Sequence, residues 1–469
     1  MIDTNSLRTS LIDLAVSGRL STEFQAEDSV SEIIEKLPKP SNKRKKLLGQ
    51  AFEYGKQSDI PENWRWMLLG EISSYGDTPV KASTSNVSDD TWILDLEDIK
   101  AGGELLTKTR AKEKQFAGEK TIFHSGQVLY SKLRPYLKKV LVADEDGIST
   151  PELISFDVFG GILPQYIVCC LLDSFTNRAI DKRSYGIKMP RIDAGFMVNL
   201  PVPVPPVSEQ HYIIERLEAA FSLIDTIENL QIEYTSNQET LKSKLIDAAI
   251  QGRLTEQLPE DGFAEELYQQ IQGEKKKLEK EGKIKKEKKA PTINEDELPF
   301  EIPLTWKWVR LSEIGLLQTG TTPSKSNPNY FGDYIPFVSP GEIQDNVITR
   351  YDKQGLSESG AAVARVVEKD SVLQVCIGGS IGKAAINDRA ITFNQQINSV
   401  TPYIMNHEYI FYCLTSNYFI SRITMASAGA ATPIINKTNW GNLVIPLAPL
   451  AEQDRIVEKL NGLFVNLLE

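Results

Sequence analysis

Leu11-Ile12-Asp13-Leu14-Ala15-Val16-Ser17-Gly18-Arg19-Leu20, near the start of the chain, returns as Leu245-Ile246-Asp247-Ala248-Ala249-Ile250-Gln251-Gly252-Arg253-Leu254. Working outward, Ile60-Pro61, Trp64-Arg65-Trp66 and Glu71-Ile72 recur as Ile302-Pro303, Trp306-Lys307-Trp308 and Glu313-Ile314. Leu200, Pro203, Pro206, Glu209-Gln210, Ile213 and Leu217 recur as Leu443, Pro446, Pro449, Glu452-Gln453, Ile456 and Leu460. The offsets are 234, 242 and 243. Solenoid repeats have periods of about 20–50 residues, so this is a duplicated domain. Two similar globular units in one chain imply one protein reading two similar things at a fixed distance.

The second copy is cut in an unusual place. The segment from Ser208 to Leu254 matches the C-terminus of the chain in its first half and the N-terminus in its second. The two ends are thus halves of a second central helix, opened in the middle, which is a circular permutation and requires neighbouring termini. The helix itself is read from spacing. Ile213, Leu217, Ala220, Ile224, Ile227, Gln231, Tyr234, Gln238, Leu241, Leu245 and Ala248 alternate steps of four and three, the seam of a coiled coil. Leu7, Leu11 and Leu14 at one end, and Ile456, Leu460, Leu463 and Leu467 at the other, continue it. Ser208 is the expected N-cap and Gly252 the expected stop. At ~1.5 Å per residue such a helix spans roughly 65 Å and reads as a spacer.

The length of 469 residues allows two or three domains, and 41% hydrophobic with 25% charged residues is ordinary for a globular chain. No apolar run reaches membrane-spanning length and the start lacks a signal-peptide plan, so a cytoplasmic chain with no membrane partner is expected. Cys169, Cys170, Cys376 and Cys413 show no C-x-x-C spacing and read as buried thiols in a reducing compartment. The net charge of −11 argues at first against nucleic acid, but residues 60–205 carry only about −2 and residues 301–450 about zero. The excess acid lies in helical and linker segments. Within the first unit Lys132, Arg134, Lys138 and Lys139 form one basic group, and Lys182-Arg183, Lys188 and Arg191 a second. Local patches, not the total, set phosphate affinity. Two lysine-rich stretches, 36–47 and 273–290, read as solvated helix or tether, with a nucleic-acid arm as the alternative.

The globular parts read as mixed α/β. Strands are expected at Thr91–Leu96, Val128–Lys132, Val140–Ala143 and Leu153–Val158, then at Tyr334–Val338, Ser371–Ile377, Lys383–Ile386 and Ile397–Val400. Helices are expected at Pro164–Ser174 and His407–Ser416. The segment 184–192 aligns with 427–435, with a similar backbone pattern and different side chains, as two readers of different sequences require. Catalytic constellations are missing. His124, His211 and His407 are scattered, and there is no metal-ligand set, nucleophile elbow or amino-methyltransferase motif. Gly378-Gly379-Ser380-Ile381-Gly382-Lys383-Ala384 lacks the first glycine and the hydroxyl of a phosphate loop and reads as a strand–turn–strand.

In this order the motifs resemble the DNA-specificity subunit of type I restriction–modification enzymes. The resemblance rests on the two Ile-Pro-x-x-Trp-x-Trp openings, on Gly320-Thr321-Thr322-Pro323-Ser324-Lys325 with Asn329-Tyr330-Phe331-Gly332, and on Tyr130 to Tyr136. It rests equally on Gly379 to Lys383, the Pro-x-x-Glu-Gln junctions and the Gly-Arg-Leu-Thr ending at 252–255. It covers nearly the whole chain. It implies an α+β chain with two target-recognition domains, 60–206 and 301–449, each reading half of a split duplex DNA site. They would be joined by long antiparallel coiled-coil spacer helices, at 207–254 and in the end segments 1–20 and 450–469, with linkers at 21–59 and 255–300 and pseudo-twofold symmetry. It implies no catalysis and no cofactor on this chain. S-adenosylmethionine belongs to two modification (methyltransferase) partner subunits, and ATP with magnesium to restriction or translocase subunits. DNA contacts are expected from Lys132, Arg134, Lys138, Lys139, Lys188, Arg191, Thr322, Lys325, Asn329, Lys383 and Lys437. Two other classes remain open on the residues alone: a degenerate or fused methyltransferase that keeps only target domains, and a coiled-coil scaffold carrying two protein-binding domains.

Overall fold

The computed structural model describes residues 1–49, 59–82, 87–114, 118–186, 188–286, 288–344, 346–348, 350–351, 354–429 and 432–468. They form two compact units, Met1–Glu233 and Tyr234–Glu469. Ile187, Ala430 and Ala431, which belong to the aligned segments 184–192 and 427–435, lie outside the described residues.

Unit 1 begins with helix α1, Thr4–Val16, capped by the Asp3 carboxylate, which accepts from the Ser6 N–H. The helix ends on Gly18 at φ 75°, with the Arg19 N–H donating back to the Leu14 carbonyl. A Cβ at Gly18 would stand 2.4 Å from Pro61 Cγ, so both the backbone angle and the close approach demand glycine. The segment after it contains helix α2, Asn42–Leu47. The domain strands are β1 Arg65–Leu68, β2 Trp92–Leu94, β3 Thr109–Arg110, β4 Thr121–Phe123, β5 Val128–Ser131, β6 Val140–Val142, β7 Gly147–Ser149, β8 Leu153–Phe156 and β9 Pro201–Val204. Helices α3, Pro164–Leu172, and α4, Ser174–Arg183, lie between the last two. The sheets run β3-β2-β7-β4 and β6-β5-β8, and β1 pairs antiparallel with β9. That last ribbon ties the domain's entry to its exit, and its prolines are tolerated because a two-stranded ribbon is all edge.

The long helix α5, Val207–Ile250, leaves directly from β9. It starts one residue before the expected cap. Ser208 sits inside the first turn, and the cap is the Asp28 carboxylate, which accepts from the Val207 and Ser208 N–H groups. A carboxylate can serve two orphan donors from outside the helix, which frees the preceding Pro205-Pro206 pair to set the corner. Behind it Glu209 and Gln210 are buried. Glu209 accepts from Ser21 Oγ (2.7 Å) and Asn63 Nδ2 (2.9 Å), and Gln210 accepts from the Leu163 N–H and donates to the Pro205 carbonyl. The Glu-Gln pair is therefore a polar staple between helix, linker and domain. Ile213, Leu217 and Ile224 are buried, and α1 runs antiparallel beside them, with Arg8 paired to Asp225 (2.5 Å) and Glu228 (3.3 Å). At its start, the Ile2 N–H and carbonyl bond the Gln231 side-chain amide.

Unit 2 repeats this plan. The end of α5 stops at Gly252, φ 69°, where a Cβ would meet Pro303 Cγ at 2.3 Å. Helix α6, Ala264–Lys280, precedes strands β10 Lys307–Arg310, β11 Gly315–Thr319, β12 Val372–Val375, β13 Ala384–Ile386 and β14 Ile397–Pro402. Then follow helices α7, His407–Thr415, and α8, Asn417–Met425, strand β15, Val444–Leu447, and helix α9, Leu450–Leu468. The main sheet runs β11-β14-β12-β13, and β10 pairs with β15 as β1 does with β9. Glu452 and Gln453 form the second polar staple, with Glu452 accepting from Trp306 Nε1 at 2.7 Å. Each unit also stacks a Trp edge-on to a Tyr at 6.4 Å and 81° (Trp64–Tyr166; Trp306–Tyr409). The repeated Asp13 and Asp247 serve as helix caps, accepting from the Ser174 and Asn417 N–H groups.

One expectation is corrected. Tyr234 and Leu241 are exposed, whereas Gln238, Lys242 and Leu245 are half-buried and Ala249 and Ile250 are buried. A straight α-helix drifts by about 20° per heptad against a 3.5-residue repeat, which over this length moves the seam by about one residue. Ahead of the two lysine-rich stretches, Val30 and Ile33 in one unit, and Ala264, Leu267 and Ile271 in the other, are buried at helical spacing in the unit cores. All four cysteines are free and buried, as expected, and burial pushes the Cys169, Cys376 and Cys413 thiols up to about 12.

Candidate nucleic-acid interface

In unit 1, β5 and β8 run antiparallel, so the loop that follows β5 and the loop that precedes β8 leave the same end of their sheet. A third segment joins them. The Tyr185 and Arg191 backbones exchange hydrogen bonds as the two arms of a hairpin (3.0 and 2.9 Å). It is fastened to the β5 loop where the Arg134 N–H donates to the Pro190 carbonyl (2.7 Å) and the Ile192 N–H to the Lys132 carbonyl (3.1 Å). These segments and residues 75–81 enclose a cleft of about 470 Å³, lined in part by Lys43, Thr78, Lys81, Lys132, Tyr185 and Arg191.

Unit 2 builds the same end with different side chains. The Gly378 N–H donates to the Pro433 carbonyl (3.0 Å), the Ile435 N–H to the Cys376 carbonyl (3.0 Å), and Ala428 and Ile434 exchange both backbone bonds (2.9 Å each). Lys132 and Cys376 occupy one place, bonded through their N–H groups to the Glu152 and Gln396 carbonyls. Arg134 and Gly378 share another, and Lys139 and Lys383 a third. As expected, residues 378–384 join two antiparallel strands, β12 and β13.

Backbone angle separates the two copies. Gly378 and Gly382 have φ of 96° and 95°, where glycine costs nothing. The equivalent residues of unit 1 are Arg134 and Lys138, at 49° and 51°. A left-handed residue with a side chain costs of order 1 kcal/mol and persists where function maintains it. Arg134 is exposed and has no side-chain partner among the described residues, and Tyr136, Tyr185 and Met189 are also exposed. Lys188 is exposed on the hairpin. Lys132 and Arg191 both face Glu152, at 4.0 and 3.0 Å.

The structure sorts the remaining candidates. Lys138 lines a different groove of unit 1, with Glu104, Asp225 and Glu228. Lys139 donates to the Leu96 carbonyl at 2.6 Å, and Lys437 to the Leu317 carbonyl at 3.3 Å, so both ammonium groups already have backbone acceptors. In unit 2 the loop after β11 leaves the same sheet end, because Thr319 pairs with Asn398 of β14. It carries Thr322, bonded to the Gln395 side chain, and the exposed Lys325 and Asn329. Lys383 is exposed at the end of the neighbouring loop. Lys81 and Tyr185 are not among the expected DNA contacts, and Lys43 is marked in the sequence only as part of the lysine-rich stretch 36–47. Among the described residues no cluster suited to a metal ion occurs, and no helix is long and apolar enough to cross a membrane.

Residues 303–467 match the family described as the type I restriction modification DNA specificity domain. The chain is 24% identical to the specificity subunit of the type I restriction enzyme EcoAI from Escherichia coli, over 97% of this chain and 88% of that one. To the HindI specificity subunit from Haemophilus influenzae it is 24% identical over 72% of this chain and 80% of that one. Among solved structures, a chain of a type I restriction–modification system has a TM-score of 0.61 at 19% identity, over 88% of this chain and 93% of that one. The HsdS subunit from Thermoanaerobacter tengcongensis has a TM-score of 0.50 at 19% identity, over 88% and 91%. These two likenesses concern the fold. The two sequence relatives are both specificity subunits of type I restriction enzymes, and residues 303–467 are similar to the DNA specificity domain of such systems.

Proposed function

We propose that each unit reads one half of a bipartite, non-palindromic DNA site, through the loops and hairpin at the end of its main sheet. One observation carries the reading: both units hold this end with the same set of backbone hydrogen bonds while the side chains presented there differ. Base edges are told apart by side-chain donors and acceptors, and the frame that carries them must stay rigid. In unit 1 the readers are Arg134, Lys188 and, from the cleft, Lys132 and Arg191. In unit 2 they are Lys325, Asn329 and Lys383, with Thr322 beside Gln395. Lys139 and Lys437 hold their own domains, and Lys138 belongs to the groove beside the helices.

The helices α1, α5 and α9 form an antiparallel coiled-coil spacer with pseudo-twofold symmetry, which sets an unread gap between the half-sites and docks two modification subunits. Those subunits carry S-adenosylmethionine, and restriction or translocase subunits carry ATP and magnesium. Purified alone, the chain transfers no methyl group, hydrolyses no ATP and cuts no DNA. Methylome sequencing of cells expressing it with its modification partner returns one split motif with two unlike halves. A continuous palindrome, or robust methylation by the isolated chain, refutes the reading.

A further inference from the structure

The lysine-rich segment before the first domain has a structure that a tether does not need. Ser41 caps α2 by accepting from the Arg44 N–H, and its hydroxyl bonds the Asp77 carboxylate. Arg44 is buried. It donates to the Ser73 carbonyl (2.6 Å) and to Asp77 (3.2 Å), and lies over the Phe159 ring at 5.1 Å. The helix exit is fixed too, since Asn199 Nδ2 donates to the Leu47 carbonyl and its Oδ1 accepts from the Gly49 N–H. One basic residue of the run thus anchors the helix, and the lysines around it are left outside.

Helical spacing divides those lysines. Positions 43 and 46 are three apart and share one flank of α2, whereas 45 lies on the opposite flank. Lys43 lines the cleft that also holds Lys81, Lys132 and Arg191. Lys43, Lys45 and Lys46 are all exposed, with no side-chain partner among the described residues. In unit 2 the docked part of the linker, held by Arg310 through the Pro291 and Thr292 carbonyls and Glu297, carries Glu295, Asp296 and Glu297 instead.

We propose that Lys43 and Lys46 of α2 bind the phosphate backbone of duplex DNA flanking the half-site read by unit 1. The proposal rests on the DNA-reading function of that unit and adds a contact from outside its recognition loops. Contacts to phosphate fix position and add affinity without adding letters to the site. An ammonium on a docked helix neutralises a phosphate with less loss of chain freedom than one on a free tether, and each neutralised phosphate releases condensed counterions.

The test uses the full chain in its modification complex and a duplex containing the methylated motif. For K43Q/K46Q, the slope of log affinity against log salt falls by about 1–2, as loss of one or two phosphate contacts requires. The methylation motif and the melting temperature stay as in wild type. K45Q keeps the wild-type slope. Trimming the duplex outside the unit 1 half-site reduces the wild-type slope but not that of K43Q/K46Q, while trimming beyond the other half-site affects both alike. An unchanged slope in K43Q/K46Q, or an equal loss in K45Q, overturns the proposal and leaves sequence reading by the loops intact. A wild-type complex that shows no motif-dependent binding overturns the reading of the units itself, and this proposal with it.

Discussion

Arg134 shows how much of a recognition surface is decided by single backbone angles. The basic run from Lys132 to Lys139 is plain in the sequence, but its dispersal is not. Two left-handed residues in one short loop turn the chain so that Lys132 enters the cleft, Arg134 faces out, Lys138 turns to a groove with Asp225 and Glu228, and Lys139 reaches the Leu96 carbonyl. Spacing along a chain carries no information about direction once φ changes sign. The clue lay in the other copy, where Gly378 and Gly382 stand at the same places. Arg134→Gly therefore separates function from fold. We expect it to keep or raise the melting temperature, since about 1 kcal/mol of backbone strain is removed. It should weaken motif binding by the assembled complex by roughly tenfold, the value of one good contact. Fluorescence anisotropy on a motif duplex checks this, and wild-type affinity would remove Arg134 from the interface.

At the level of elements, the repeated words in the sequence turn out to be joints. Leu-Ile-Asp supplies a cap to the helix across from it, Gly-Arg-Leu ends a helix under a proline, and Glu-Gln staples the long helix to its domain. Their recurrence made the helices, most strands and the duplication legible. What stayed illegible was pairing across long separations, such as β1 with β9 and the parallel β2–β7 pair, because no local pattern encodes a partner. One joint differs between the copies. Helix α4 is capped by Asp173, which accepts from the Thr176 N–H, while α8 is capped by Ser416. Burial, and after it the neighbouring Asp13 carboxylate, hold the Asp173 carboxyl above its ordinary range. The folded state thus holds this proton more tightly than the unfolded chain. The favourable contribution is complete below about pH 4, the unfolded value, and is lost as pH rises through the folded value. Asp173→Ser keeps a cap of similar quality and removes the charge. Relative to wild type, it should be more stable at pH 8 than at pH 4. A stability difference between variant and wild type that does not change with pH, followed by thermal melts across that range, would remove the carboxylate pair as its cause.

For the whole molecule, the sequence revealed the duplication and the permuted ends, and the structure adds how those ends are held. Gln231 bonds the backbone of Ile2 in unit 1, and Gln238 the carbonyl of Leu467 in unit 2. The two polar residues that interrupt the apolar seam of α5 therefore receive the two chain ends. The helix itself is unbroken from Val207 to Ile250 and contributes to both units. Under the spacer reading, deleting one heptad between Gln231 and Gln238 removes about 10 Å of helix, roughly three base pairs of DNA. Methylome sequencing should then find the same two half-sites with a shorter gap, or no site-specific methylation at all. Retained activity with an unchanged gap would exclude the helix as the ruler. The left-handed corner at 134 and 138 has a further consequence, for the way such a protein changes its target over generations. A glycine codon can become an arginine codon by one base substitution, and at Gly378, where the nearest atom to a new Cβ is 4.0 Å away, the newcomer meets open space and a modest loss of stability. Proteins tolerate such losses until a threshold is crossed. Unit 2 still has glycine at 378, so it holds a position where mutation can try a new long side chain against DNA without displacing a strand, a helix or the partner half of the site.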